Sequence, residues 1–187
     1  MAVYQIKGSY FIQAKQWIDE KLGAGSFKKL MTEAGAQRTD TLLPGTWYDV
    51  LPLSQALAKA SGQLKMPIED LSTDIARRTA QNDLTTLYKI FLRVAAPQRV
   101  LSSLPRLWAT YVEFGEARIL SNEPGLFEGE GVGFPAEVVD WACGCFRGFL
   151  PTAVEIAGGK DAVCKILERR PESKDQYAIR FEVRYRK

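Results

Sequence analysis

The chain has 187 residues, 46% of them hydrophobic and 25% charged, with a net charge of +3. That composition suits an ordinary globular domain with a substantial core, and the charge excess is too small to argue for nucleic acid. It contains no histidine, which excludes Ser-His-Asp and Cys-His nucleophile systems, His-Glu-x-x-His zinc sites and His-ligated haem.

From the N-terminus, "GSYFIQAKQWIDEKLG" places Phe11, Ala14, Trp17, Ile18 and Leu22 at helical spacing, with Gly23 as a stop. Ser26 then opens a short amphipathic helix carrying Phe27, Leu30 and Met31. The aperiodic "GAQRTDTLLPGTWYDVLP" reads as a connecting segment that Trp47 and Tyr48 anchor to the core. "LPLSQALAKASG" predicts a short helix ended by Gly62, and a long helical stretch follows from Pro67 as far as Ala95. Its apolar stripe swings round near Asn82-Asp83, where either the helix changes neighbours or Asn82 caps a second helix. Short helical pieces punctuated by Pro97 and Pro105 complete this half.

Beyond residue 111 the period changes. "EARILS", "GLFEGEGV", "KDAVCKILERR" and "QYAIRFEVRYRK" alternate partly in twos, joined in pairs by the turn segments "SNEPG" and "PESKD". The alternation is cleanest where Ile179, Phe181, Val183 and Tyr185 oppose Arg180, Glu182, Arg184 and Arg186. Between the two hairpins one long apolar helix starts at Pro135. The expected fold is α+β: one domain over 1–187, with a helical lobe (1–110) followed by a four-stranded antiparallel sheet and long helix (111–187). The helix packs on the sheet in the order strand-strand-helix-strand-strand.

In that helix Gly144, Arg147, Gly148 and Glu155 share a narrow polar strip, and most other positions are apolar, so the helix is buried on several sides. Cys143 and Cys145, two positions apart, point to nearly opposite sides. They read as small hydrophobes, neither a metal clip nor a disulfide. Neither has a neighbouring cationic trio or helix N-terminus to depress its pKa. "GEGVG" is glycine-rich but lacks the Lys-Ser/Thr and strand-to-helix setting of a phosphate loop. No apolar run approaches the roughly 20 residues of a membrane span, no signal-peptide block opens the chain, and the unevenly spaced cysteines form no disulfide framework. A cytoplasmic setting is expected.

The order of "IKGSYFIQAKQWIDEKLG", "LLPGTWYDVLPLSQAL", "LYKIFLRVAAPQRVLSSLPRLWATYVEFGEARI", "GFPAEVVDWACGCFRGFLPTAVEIAGG" and a closing "RFEVRY" resembles an uncharacterised family abundant in myxobacteria. That family is similar to a superfamily shared by haem-nitric-oxide-binding domains, vinyl-reductase-type small-molecule-binding domains and core subunits of transport-particle (TRAPP) complexes. The resemblance implies helices packed on a twisted antiparallel sheet, with an apolar cavity between them that holds haem or an acyl chain in relatives. The haem branch's histidine ligand and Tyr-x-Ser-x-Arg motif are absent, and Ile179 stands where the vinyl-reductase-type branch often has cysteine.

The expectation is therefore a non-enzymatic sensory or regulatory module that takes a small apolar ligand between helices and sheet. Trp17, Trp108, Tyr111, Trp141, Cys145 and Phe149 are the expected lining, with no cofactor and no metal; the lack of histidine argues against haem. An assembly module with a filled core is the alternative. It would dimerise, or meet a protein partner, through the glycine strip or an N-terminal patch. A haem-based gas sensor ligated by Cys or Tyr is the third reading.

Overall fold

A computed structural model describes residues 4–36, 41–86 and 96–186. The chain enters through a short strand, β1 (Gln5–Lys7), paired antiparallel with β2 (Trp47–Asp49). Helix α1 (Gly8–Leu22) follows at once and stops at Gly23, whose φ of 101° suits glycine. Gly8 is required for close approach. A Cβ there would stand 2.1 Å from the Leu43 carbonyl oxygen, because the 41–46 loop lies across the start of the helix.

Helix α2 (Ser26–Glu33) is tied to α1 by the Phe27 N–H, which donates to Asp19 Oδ1 at 2.9 Å. Three-residue strands carry no readable period, which is why β1 and β2 lay hidden in what the sequence presents as loop. Helix α3 (Val50–Leu64) opens with Asp49 accepting from the Leu51 N–H. It runs past Gly62, the expected stop, to a left-handed Lys65. Gly62 faces open space, and its helix penalty of about 1 kcal/mol is outweighed by the buried stripe of Leu53, Leu57 and Ala60.

Helix α4 (Ile68–Thr86) continues through Asn82 and Asp83 without a break, so Asn82 caps no second helix. The remainder of the expected long helix, at 87–95, lies outside the described residues. Helices α5 (Pro97–Ser102) and α6 (Leu104–Tyr111) each begin at or beside the expected proline.

Strands β3 (Glu116–Glu123), β4 (Leu126–Pro135), β5 (Lys160–Pro171) and β6 (Gln176–Arg186) form one antiparallel sheet in the order β3-β4-β6-β5. The two hairpins join through β4 and β6, with Phe127 opposite Val183 and Gly129 opposite Phe181. The α+β architecture expected from the sequence is what the chain adopts. The long helix α7 (Val139–Ile156) starts later than Pro135, because Pro135 still pairs with Gln176 in the sheet and a 3₁₀ turn at Ala136–Val138 intervenes.

Two glycine pairs decide how α7 sits. A Cβ on Gly144 would meet Ser72 Cβ at 2.4 Å, and one on Gly148 would meet the Thr73 carbonyl oxygen at 2.2 Å. Helix α4 lies directly on the glycine strip, so the dimer surface expected there is already covered within the chain. On the opposite side, Phe146 stacks on Phe181 with centroids 4.3 Å apart, and Trp108 stacks on Phe146 at 5.4 Å. Gly129 and Gly131 make room for those rings: a Cβ would stand 2.7 Å from the Phe181 ring and 2.6 Å from the Phe134 ring. Two of the three glycines of "GEGVG" therefore serve aromatic packing on the sheet, and the third, Gly133, takes a φ of 76° against the Gly115 backbone.

Candidate functional site

An apolar cavity of about 70 Å³ opens among the helices. Its wall comes from Ile6 and Lys7 at the end of β1, Tyr10 of α1, Ala76 and Thr79 of α4, Leu104 to Val112 around α6, and Trp141 to Leu150 of α7. The four-stranded sheet contributes nothing to this lining. That corrects the expected position between helices and sheet: the Trp108–Phe146–Phe181 stack and Phe134 fill that space.

Five of the six expected lining residues meet here: Trp108, Tyr111, Trp141, Cys145 and Phe149. Trp17 does not. It is buried two helical turns along α1 from Tyr10, packed in the core with Lys21 Nζ 5.8 Å from its ring. Tyr10 takes the place assigned to it. Being seven residues apart, the two lie on one face of α1, so sequence pattern identified the face but not the depth.

The cavity surface is carbon almost throughout, and most nearby polar groups are already engaged. Trp108 Nε1–H donates to the Phe114 carbonyl at 3.0 Å, and Thr79 Oγ1 to the Ile75 carbonyl at 2.9 Å. Lys7 Nζ donates to the Gly45 carbonyl at 2.9 Å and sits 3.6 Å above the Trp47 ring. Tyr10 Oη, Ser72 Oγ and Trp141 Nε1 are all buried without a hydrogen bond of good geometry, and the Tyr10 hydroxyl interacts instead with the Ser72, Cys145 and Trp141 side chains around it.

Burial pushes the Tyr10 phenol well above its ordinary value near 10, and the nearby Cys145 adds to the rise. Burial likewise raises the Cys145 thiol and outweighs the opposing hydrogen bond from Tyr10. Both stay protonated and neutral at pH 7. Cys143 faces away from Cys145, towards Arg169; burial outweighs that single cation and the thiol rises to about 12. Cys164 is pushed by burial to about 12, and all three cysteines are free.

No protein-family model and no curated protein matches this chain. Solved structures do. An oxygen-binding H-NOX domain related to soluble guanylate cyclases, in its oxygen complex, superposes with a TM-score of 0.69 at 10% identity, over 97% of this chain and 96% of its own. An H-NOX protein from K. algicida in its unliganded Fe(II) form gives 0.71 at 13% identity, over 97% of each chain. A third, from work on haem distortion in the H-NOX family, gives 0.72 at 11% identity, over 97% and 96%. The fold is that of H-NOX domains.

This corrects the expectation of no cofactor. The H-NOX fold houses haem in those proteins, so a missing histidine does not settle whether the fold carries one. The described cavity supplies Cys145, Tyr10 and Tyr111 as candidate iron ligands. Room is another matter: a dry cavity of about 150 Å³ holds one benzene, and 70 Å³ does not admit four pyrrole rings. The residues as packed do not fit a haem, and no chemistry is derived through one.

Proposed function

We propose that this chain is a non-catalytic sensory or regulatory module that takes a small apolar ligand among α1, α4, α6 and α7. The carbon-walled cavity at that point carries the reading, since the H-NOX likeness establishes the fold alone. Around it stand the neutral Tyr10 phenol and Cys145 thiol, with no nucleophile set beside a base among the lining residues, so the site is suited to binding rather than turnover. Three unpaired thiols agree with a cytoplasmic setting, and no helix among the described residues is long and apolar enough to cross a membrane.

Haem-based sensing is the second reading, favoured by the fold and by the Cys145, Tyr10 and Tyr111 donors. It requires α4 or α6 to part from α7. The assembly reading, in which transport-particle (TRAPP) subunits are the nearer analogues, loses the glycine strip it named because α4 occupies it.

Native mass spectrometry of protein purified without denaturation, paired with visible spectra after haem reconstitution, tests these readings. A small-molecule adduct without a Soret band supports the first, and a Soret band that Cys145→Ala or Tyr10→Phe shifts supports the second. A bare chain mass, no Soret band and no thermal upshift with any small apolar probe would sink both.

A further inference from the structure

β5 stands at one end of the sheet order and, among the described residues, no strand pairs with its far side. An edge of 12 residues with open N–H and C=O groups invites another strand. Two large apolar side chains stand in solvent along it, Val163 at 62% and Leu167 at 40% exposure. The opposite edge, β3, is tied down near its end, where Asn122 Nδ2 donates to the Gln98 carbonyl and to Ser102 Oγ of α5. Pairing with β6 assigns the faces of β5. Cys164 and Ile166 lie opposite the buried Val183 and Phe181 on the helix side, whereas Lys165 and Glu168 lie opposite Glu182 and Arg180 on the outer side. Leu167 is the extra residue of a bulge between Ile166 and Glu168. That extra residue is what brings Lys165 and Glu168, three positions apart, to the same face.

We infer that two copies of this chain join by antiparallel pairing of their β5 strands, with Lys165 of each opposite Glu168 of the other. The two-fold axis of that pairing passes between Ile166 and Leu167, so the lysine–glutamate contact occurs twice. Each Ile166 meets the partner's Leu167, and each Val163 lies along the stem of the partner's Arg170. No like charges stand directly opposite in this register between Ala162 and Pro171. Registers that set Lys165 against a second Lys165, or against Arg169, place like charges face to face and are disfavoured. Beside the strand, a groove of about 560 Å³ bounded by Glu69 of α4 and Arg147 of α7 leaves room for the partner's helix-side residues. The union is independent of what the cavity among the helices holds.

Sedimentation velocity and light scattering on the full chain read the association, and hydrogen exchange reads whether it occurs at β5. We expect a dimer at micromolar concentration, with the amides of 163–168 better protected there than on dilution. Lys165→Glu and Glu168→Lys should each weaken it by about tenfold or more, because two symmetry-related contacts turn repulsive at once. Within one chain Lys165 faces Glu182 and Glu168 faces Arg180, so either reversal also loosens the edge. Mixing the two variants leaves those in-chain contacts as they are and makes both cross-chain pairs attractive again, so the mixture should recover a dimer. A native chain that stays monomeric to submillimolar concentration overturns the inference and leaves the edge to a strand from another protein. A dimer that both reversals leave intact, or one that the mixture fails to recover, overturns it as well.

Discussion

Glycines give the sharpest contrast between residues of one type. At Gly148 a Cβ would press on the Thr73 carbonyl oxygen at 2.2 Å, and backbone cannot step aside as a flexible side chain can. Gly148→Ala should therefore cost about 2–3 kcal/mol in urea unfolding, with α4 and α7 forced apart. Gly62 meets nothing within 4 Å on an exposed helix face, so Gly62→Ala should stabilise by about 0.5–1 kcal/mol. The thiols make a second contrast with sequence. Cys143 and Cys164, each raised to about 12, should resist a thiol reagent in the native protein at pH 8 and react on unfolding. Because the folded values lie above the unfolded ones, the stability they contribute is complete below the ordinary thiol value near 9 and is lost as pH rises towards 12. The urea midpoint should fall between pH 8.5 and 10.5, and less steeply in Cys143→Ala.

At the scale of elements, the join between α1 and α2 depends on Asp19. Burial raises its carboxyl, but the Phe27 N–H and then Lys15 more than offset that, and the net shift is downward. Its contribution is accordingly present above the ordinary carboxylate range and lost as pH falls through the lowered folded value. Asp19→Ala should cost about 1 kcal/mol at pH 7, and the cost should shrink in acid-unfolding curves as pH falls through the lowered carboxylate value. A second join ties α4, α7 and β5 together. Arg169 bridges Glu69 and Asp140, and Arg147 reaches Asp70 at 3.0 Å and Glu69 at 3.5 Å. These pairs are partly exposed, so Arg169→Met should cost no more than about 1 kcal/mol, and less at 1 M salt. The helices and hairpins were legible because each carries a period of 3.6 or 2 over many residues. The β1–β2 pair was not, being too short to show one, and the Gly62 stop was misread because burial overrode local propensity.

The cavity belongs to the whole molecule, since its wall combines residues from β1, α1, α4, α6 and α7. Cys145→Met should fill it with a flexible side chain, leaving the circular dichroism spectrum unchanged and abolishing the binding of isobutene, a small apolar probe. Five of the six expected lining residues were legible because aromatic side chains beside a buried helix have few other places to go; the error at Trp17 was one of depth along a correctly chosen face. By itself the sequence determined the α+β order of elements, the absence of an imidazole, the divergence of Cys143 from Cys145 and a narrow strip bearing Gly144 and Gly148 as a place to meet a partner. It could not determine that α4 would be that partner, that the cavity would lie among helices, or that Arg169 would stand near Cys143. Those depend on which elements stack, and stacking is settled by ring-on-ring and helix-on-glycine fit between residues far apart in the chain. Periodicity fixes which side of an element is apolar; only packing in three dimensions decides what that side meets.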